Sequence, residues 1–277
     1  IAIPVIAASW WISALISIGV SVGLGFVMRA LAPKPAKPRP PGRELTGAQA
    51  DAPWQIVYGP RIVSGTIVFR HLAGANNEYF YLVIVWCYGG PDGIEEITQI
   101  LFGEEVAANS STPVAKYASV LTVENHLGTD AQAASTILTI DLPAKFTSSD
   151  TAGGHAYTVL KLKYDPEIYA DFNEGLVRAK IKGRKVADTR TGTTAYSANP
   201  ALCMRDYLSN MRFGLGYGQG LRSLPVIFDD DTTNVEANVC DETVNVKAGG
   251  ARARYAMGFA FLVDAEPARI VQAMVES

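Results

Sequence analysis

The order of hydrophobic and polar positions divides the chain into an apolar leading segment, a proline-rich stretch and a long body with strand-like patterning. From residue 54 onward, Val, Ile, Tyr and Phe recur between breaks of Gly and Asn, which is typical of β-strands separated by turns. The predicted strands are Gln55–Tyr58, Arg61–Arg70, Glu78–Tyr88, Ile94–Phe102, Ser119–Glu124, Thr136–Leu142, Ala156–Tyr164, Val177–Val186 and Tyr255–Val263. The second and third of these strands predict a long hairpin.

Helix signals are fewer and lie in the last third of the chain. Asn199 followed by Pro200 predicts a helix with an N-cap and proline at its first position. A second helix is predicted over 230–243, where acidic residues open the segment. Glu266–Ser277 carries an apolar helical stripe that runs to Val275, and the chain stops without a cap, so we expect the natural protein to continue. The sequence therefore predicts a mainly β fold with an α+β part.

Four regions are predicted on this basis. Residues 1–32 form a hydrophobic helix, and residues 33–53 form a proline-rich basic linker. Residues 54–165 form a β-rich domain, and residues 166–277 form an α+β domain that is cut off within its last helix.

The leading segment carries no formal charge over residues 1–28, which exceeds the ~20 residues that span a bilayer as a helix. Trp10, Trp11 and Arg29 are candidates for a membrane interface. Small residues that favour close helix packing are Ser13, Ser17, Gly19, Ser21 and Gly23. A signal peptide fits poorly, because the charges follow the apolar run. Membrane contact and burial within an assembly both remain open.

The linker is stiff and basic. Five prolines in residues 33–43 favour an extended polyproline II conformation, which rises ~3.1 Å per residue. Its basic side chains are Lys34, Lys37, Arg39 and Arg43. They keep the linker soluble, and they also suit contact with anionic lipid head groups.

Composition narrows the function classes. Hydrophobic residues make up 48% of the chain, which excludes a disordered protein. The formal net charge of −3 excludes a highly charged nucleic-acid binder. Cys87, Cys203 and Cys240 form no C-x-x-C pair, which predicts three buried, reduced thiols.

No catalytic or metal-binding pattern is recognisable in the sequence. His71, His126 and His155 are the only histidines, and none lies at metal-ligand spacing from another ligand. The glycine-rich Gly214–Gly220 follows a helix signal and is predicted to be a connector, while Asp229–Asp231 is explained by helix capping more simply than by calcium. We therefore expect no catalytic residues, no metal and no cofactor, and the chain is predicted not to be an enzyme.

One ordered block of sequence resembles a known family. The block comprises His126–Ala134, Leu162–Glu167, Ile181–Val186 and Thr189–Leu208. It resembles the tip attachment protein J family of long-tailed, non-contractile bacteriophages, also called the central tail hub or host-specificity protein. Val57–Thr66 is similar to that family's first hub strand pair. The positions that match the family motif are Thr191, Gly192, Asn199, Pro200, Asp206 and Tyr207.

The resemblance implies a homotrimeric hub at the distal end of the tail, assembled in the host cytoplasm. The implied partners are the distal tail protein, other tail-tip subunits, the tape-measure protein and a host receptor bound by regions beyond residue 277. Double-stranded DNA would pass through the lumen without specific binding. The family has no catalytic residues to carry over.

The apolar leading segment and the family resemblance together suggest one hypothesis. Threefold symmetry would gather three leading helices as a plug in the tail-tip lumen, for release toward the host membrane on receptor binding. Gly23→Leu is then predicted to lower infectivity without disturbing hub assembly, and an unchanged titre would count against the plug. The alternative is a membrane-anchored, β-rich envelope protein or adhesin.

Overall fold

The computed structural model describes residues 52–216, 230–246 and 249–277. The strands are β1 (Gln55–Tyr58), β2 (Pro60–Ser64), β3 (Thr66–Ala73), β4 (Tyr79–Tyr88), β5 (Ile94–Phe102), β6 (Glu105–Asn109), β7 (Thr112–Pro113), β8 (Leu121–Leu127), β9 (His155–Lys163), β10 (Val177–Asp188), β11 (Thr193–Tyr196), β12 (Thr243–Asn245), β13 (Ala251–Ala253) and β14 (Phe259–Leu262). The α-helices are α1 (Thr136–Asp141), α2 (Pro200–Ser209), α3 (Asp230–Asp241) and α4 (Pro267–Glu276). The prediction of a mainly β fold is confirmed.

Two larger antiparallel sheets enclose the main core. One sheet has the order β3-β4-β9-β8. The other has the order β11-β10-β5-β6-β7, with β2 paired to the first half of β10. Ile84 and Leu160 from the first sheet pack in one buried cluster with Ile97 and Ile181 from the second. The alternation of apolar residues along these strands therefore produces a sandwich, with strands from both predicted domains sharing the second sheet.

A second core lies between the helices and a small sheet formed by β1 and β14. Strand β1 borders both cores, because its successive side chains point to opposite faces. Val57 belongs to the core of the sandwich, whereas Ile56 and Tyr58 belong to the core of the helices. All three side chains are fully buried. The continuous apolar pattern of this short strand reflects burial on both of its faces.

The strand predicted over Arg61–Arg70 is two strands that belong to different sheets. Strand β2 pairs with β10, whereas β3 pairs with β4. Gly65 lies between them, and a Cβ at this position would stand 2.4 Å from the carbonyl oxygen of Val85. The backbone therefore turns from one sheet to the other at a residue without a side chain. Of the segment predicted to form a hairpin with residues 78–88, only β3 pairs with β4.

The strand prediction for Thr136–Leu142 is wrong, because this segment forms helix α1. The Ser135 hydroxyl oxygen accepts a hydrogen bond from the Leu138 N–H, and the Glu124 carboxylate accepts from the N–H groups of Thr136 and Ile137. The β-branched residues favoured a strand, but these acceptors satisfy the first turn of a helix. Leu138 then packs on the outer face of the first sheet, in a third buried cluster.

The helices predicted after Asn199, over 230–243 and over Glu266–Ser277 are confirmed as α2, α3 and α4. The strand predicted over Tyr255–Val263 is shorter and occupies Phe259–Leu262. Among the described residues, no helix combines the length and the apolar character that crossing a bilayer requires. The helix predicted over residues 1–32 and the linker up to residue 51 lie outside the described ranges.

Candidate functional site

A buried polar junction joins the strands to the helices. Oδ2 of Asp206 on α2 accepts hydrogen bonds from the Tyr58 hydroxyl at 2.5 Å and from Nε of Arg184 at 3.1 Å. Nη1 of Arg184 also donates to the carbonyl oxygen of Gly89 at 3.1 Å. These hydrogen bonds therefore connect four parts of the chain, namely β1, β10, α2 and the segment after β4.

The junction is enclosed by apolar groups. Arg184 is only 7% exposed, and its guanidinium carbon lies 4.6 Å from the centre of the Phe213 ring. Burial, followed by the neighbouring Asp206 carboxylate, raises the pKa of the Tyr58 phenol well above its ordinary value of 10.0. The phenol therefore stays protonated as a hydrogen-bond donor. The Asp206 carboxylate and its two donors, Tyr58 and Arg184, therefore form a buried hydrogen-bond network that fixes their relative positions.

Gly183 explains how Arg184 comes to lie beside Tyr58. A Cβ at Gly183 would stand 2.2 Å from the carbonyl oxygen of Val57, so only glycine allows β10 to approach β1 this closely. The Gly183 N–H donates to the carbonyl oxygen of Gly59 at 2.8 Å. Gly183 therefore lets β10 cross close to β1, and this crossing places the next residue, Arg184, beside Tyr58.

Asn199 and Pro200, two positions of the family motif, start helix α2. The Asn199 Oδ1 accepts from the N–H groups of Ala201 and Leu202 at 3.0 and 3.4 Å, and its Nδ2 donates to the Ala237 carbonyl at 2.9 Å. Its side chain thereby links the first turn of α2 to α3. Pro200 occupies the first turn, where its missing N–H costs no hydrogen bond.

Asp206 and Tyr207 lie further along α2 and face buried surroundings. Asp206 belongs to the polar junction, and Tyr207 is 1% exposed in the core of the helices. The Tyr207 ring centre lies 5.2 Å from that of Phe261 on β14, in an edge-to-face arrangement. The structure thus places four of the six motif positions on α2 or at its N-terminus.

Thr191 and Gly192 lie apart from that group, in the turn between β10 and β11. Gly192 has φ +70°, and a Cβ there would meet no atom within 4 Å, so the glycine serves the backbone conformation alone. Neighbouring Arg190 holds this turn against α3. Its Nη2 lies 2.7 Å from Asp188 Oδ2 and 2.8 Å from Asp241 Oδ2.

The sequence prediction assigned no role to Tyr58 or Arg184. Arg184 lay within a segment that carried the family resemblance, but nothing in the one-dimensional pattern paired it with Asp206. One signal was present: Gly183 and Arg184 interrupt the apolar positions of an otherwise regular strand pattern. A glycine beside a charged residue in a strand often marks a close backbone approach.

A groove of about 160 Å³ opens on the surface at the start of β3. Its walls include Trp54, Val68 and His155. Trp54 is 38% exposed and stacks on Tyr88, with ring centres 4.8 Å apart. The groove thus presents several aromatic side chains beside β3, a strand at the end of its sheet.

The remaining candidates are the residue types that bind metals and the three cysteines. No group of three or more His, Cys, Asp or Glu side chains suited to a metal ion occurs within the described ranges. Cys87 and Cys203 are buried, and burial raises the pKa of each thiol to about 12. Cys240 is only partly buried, which corrects the prediction of three buried thiols.

The predicted helix-packing, membrane-interface and basic-linker positions all lie outside the described residues. The helix-packing positions are Ser13, Ser17, Gly19, Ser21 and Gly23. The interface and linker positions are Trp10, Trp11, Arg29, Lys34, Lys37, Arg39 and Arg43. Their assigned roles stay predictions.

Comparison with known proteins finds similarity among solved structures. No protein-family model matches the sequence, and no curated protein matches it. Among solved structures, the chain is similar to a chain from the virion of the native gene transfer agent (GTA) particle, with a TM-score of 0.42 and 14% identity. The alignment covers 95% of the present chain, which spans 59% of the length of that neighbour.

Proposed function

We propose that this chain is a structural subunit of a phage-type virion, acting as the central hub at the distal end of the tail. The observation that carries the proposal is the ordered block between His126 and Leu208, which resembles the tail-hub family over several separate segments. A role in architecture, without catalysis, is part of the proposal.

The contacts of the motif residues support such a role. Two of the motif positions carry an amide or a carboxylate, Asn199 before the first turn of α2 and Asp206 on α2, and both bind groups of the same chain. Asn199 is 3% exposed and Asp206 bonds two buried donors, so the polar groups of both side chains are engaged within the chain. These contacts specify how the helices pack on the strands, and this supports a structural role.

In the proposed assembly, three copies form a ring around the tail lumen. The ring joins the distal tail protein, other tail-tip subunits and the tape-measure protein on one side to receptor-binding regions on the other. Double-stranded DNA crosses the lumen without specific binding. We further propose that the uncharged residues 1–28 plug this passage and are released to contact the host membrane on receptor binding.

The direct test is to locate the chain in purified particles. Antibodies against the β-rich body should label one end of each tail, and averaged images of that end should show threefold density of matching mass. Mass spectrometry of the same particles should recover peptides from 54–277. Recovery in the cell membrane fraction, with no signal in particles, would overturn the proposal in favour of the envelope protein or adhesin.

A further inference from the structure

The groove at the start of β3 contains a tryptophan that is both held in place and accessible. The Trp54 ring stacks on Tyr88 and meets the edge of His155, with ring centres 4.8 and 5.5 Å apart. Tyr88 is only 4% exposed, and its hydroxyl group accepts a hydrogen bond from Arg212. Trp54 nevertheless keeps 38% of its surface exposed. The indole is therefore a fixed apolar surface that a ligand in the groove can contact.

Three polar atoms on side chains that line the groove have no hydrogen-bond partner among the described residues. They are Nε1 of Trp54, Oγ1 of Thr66 and Nε2 of His155. Nδ1 of His155 lies 3.2 Å from the carbonyl oxygen of Gly153, which can only accept, so in the neutral ring Nδ1 carries the proton and Nε2 is an acceptor. The groove therefore offers one donor, one acceptor and one hydroxyl group that can do both.

The lining of the groove excludes several classes of ligand. Within the described ranges, none of the lining residues is Asp, Glu, Lys or Arg. A phosphate or carboxylate would lack a cationic partner, and a single-stranded nucleic acid would lack basic side chains along its backbone. A purely apolar ligand would displace water from the three polar atoms without replacing its hydrogen bonds. The lining therefore suits a neutral ligand with an apolar face and polar edges.

The size of the groove limits the buried part of such a ligand to about one ring. Its volume is about 160 Å³, whereas sites for drug-sized ligands measure ~300–1,000 Å³. Val68, which also lines the groove, is 47% exposed, so a longer molecule can continue into solvent. A pyranose ring has the required chemistry, because its C–H groups pack on the electron-rich face of an indole and its hydroxyl groups both donate and accept hydrogen bonds.

We propose that this groove binds one neutral pyranose ring, either as a free sugar or at the end of a glycan. The C–H face of the sugar packs on the indole of Trp54, and its hydroxyl groups bond to Nε1 of Trp54, Oγ1 of Thr66 and Nε2 of His155. The site does not depend on the tail-hub proposal, because all of its residues belong to one chain. On a tail tip it would add a contact with sugars of the host surface.

Saturation-transfer NMR on the full-length chain tests the site. The probes are the methyl glycosides of glucose, galactose, mannose and N-acetylglucosamine. At least one should bind saturably, with a dissociation constant in about the millimolar range that one ring on an open groove provides. Methyl glucuronide and methyl glucosaminide carry a charge on the same ring and should bind more weakly than that glycoside. Absence of saturable binding by every neutral glycoside, or stronger binding of a charged one, would overturn the proposal.

An oligosaccharide that ends in the preferred sugar distinguishes the two sources of the ligand. Binding at least as tight as that of the methyl glycoside would support a glycan terminus as the natural ligand. Weaker binding would support a free sugar.

Two substitutions in the groove, each with a control elsewhere, test the assigned contacts. Trp54→Ala should weaken binding about tenfold or more, because the sugar loses its stacking surface. Tyr164→Ala should leave binding unchanged, since this ring is 75% exposed and does not line the groove. Thr66→Val removes one hydroxyl group and should weaken binding about three- to tenfold. Its control is Thr122→Val, at an exposed position of β8.

A label on the indole provides an independent measurement in the same protein. In chain labelled with fluorotryptophan, the ¹⁹F resonance that is absent from Trp54→Phe belongs to Trp54. This resonance should shift during titration with the sugar and give the same dissociation constant. In Thr66→Val it should keep its position before sugar is added, which shows that the groove is intact. Unchanged affinity in both groove variants, or a Trp54 resonance that does not respond to the sugar, would overturn the proposal.

Discussion

Nε of Arg184 lies 3.1 Å from Oδ2 of Asp206, and this ion pair connects the longest strand of the sandwich to helix α2. The side chains are 9% and 17% exposed. A buried pair of this kind adds little net stability compared with apolar residues of the same shape, but it penalises any arrangement that leaves one partner alone. The pair therefore specifies how the helix sits on the strand.

Removing one partner of the Arg184–Asp206 ion pair should lower the stability of the fold. We expect Asp206→Ala to lower the free energy of unfolding by about 3–5 kcal/mol, because Arg184 and Tyr58 lose their shared acceptor while they stay buried. Arg184→Met combined with Asp206→Leu should recover part of this loss. Urea denaturation measures each value. Arg269→Gln, on a pair whose side chains are 85% and 63% exposed, serves as the control and should leave the midpoint unchanged.

The capping side chain of α2 provides a second prediction. Asn199→Ala removes two bonds to the first turn of the helix and one to the Ala237 carbonyl, so we expect a loss of about 1–3 kcal/mol. Asn173→Ala is the comparison, because Asn173 caps only a three-residue 3₁₀ turn. Thermal and urea unfolding of the two variants should differ clearly. Equal losses would show that the link from α2 to α3 contributes nothing.

Two glycines of the resembling block should respond differently to alanine. At Gly183 the new Cβ meets the Val57 carbonyl oxygen, so Gly183→Ala must push β10 away from β1 and should cost more than ~2 kcal/mol. At Gly192 the space is open and only the left-handed backbone is strained, so Gly192→Ala should cost about 1–2 kcal/mol. Gly192→Asn should cost less, since asparagine tolerates this conformation. The reverse order of the two alanine variants would contradict the close crossing.

Acid should destabilise the fold partly through His126. Its ring stacks on Tyr157 at 4.3 Å, and burial lowers its pKa from the ordinary 6.5 despite the Glu124 carboxylate 3.3 Å away. The unfolded chain therefore binds a proton first, and stability falls as the pH drops below about 6.5. His126→Phe keeps the stacking and removes the titration, so its stability should change less between pH 7 and pH 5.

Two comparisons make this measurement specific. Phe69→Leu removes no titratable group, so it should keep the pH dependence of the parent protein over the same interval. Below pH 4.5 all variants should lose stability in common, because hydrogen bonds from Ser135, Ile137 and Thr136 outweigh burial and lower the pKa of Glu124. Guanidinium denaturation at stepped pH provides the data. An unchanged slope in His126→Phe would show that this histidine is not the group responsible.

The sequence alone determined the elements whose signals are local. The strands β5, β9 and β10 and the helices after Asn199 and Glu266 follow from apolar periodicity, turn glycines and caps, since these act over a few residues. It also indicated which segments carry the family resemblance. Thr191–Gly192 was recognisable as a turn because glycine readily adopts the left-handed conformation found there.

Only the tertiary structure decided the features that depend on distant partners. Thr136–Asp141 is a helix because Glu124 and Ser135 satisfy its first turn, although its β-branched residues favour a strand. The split at Gly65 and the meeting of Tyr58, Arg184 and Asp206 likewise depend on residues up to 148 positions apart. Local preference is worth a few tenths to about one kcal/mol per residue, and burial or a well-placed acceptor exceeds it.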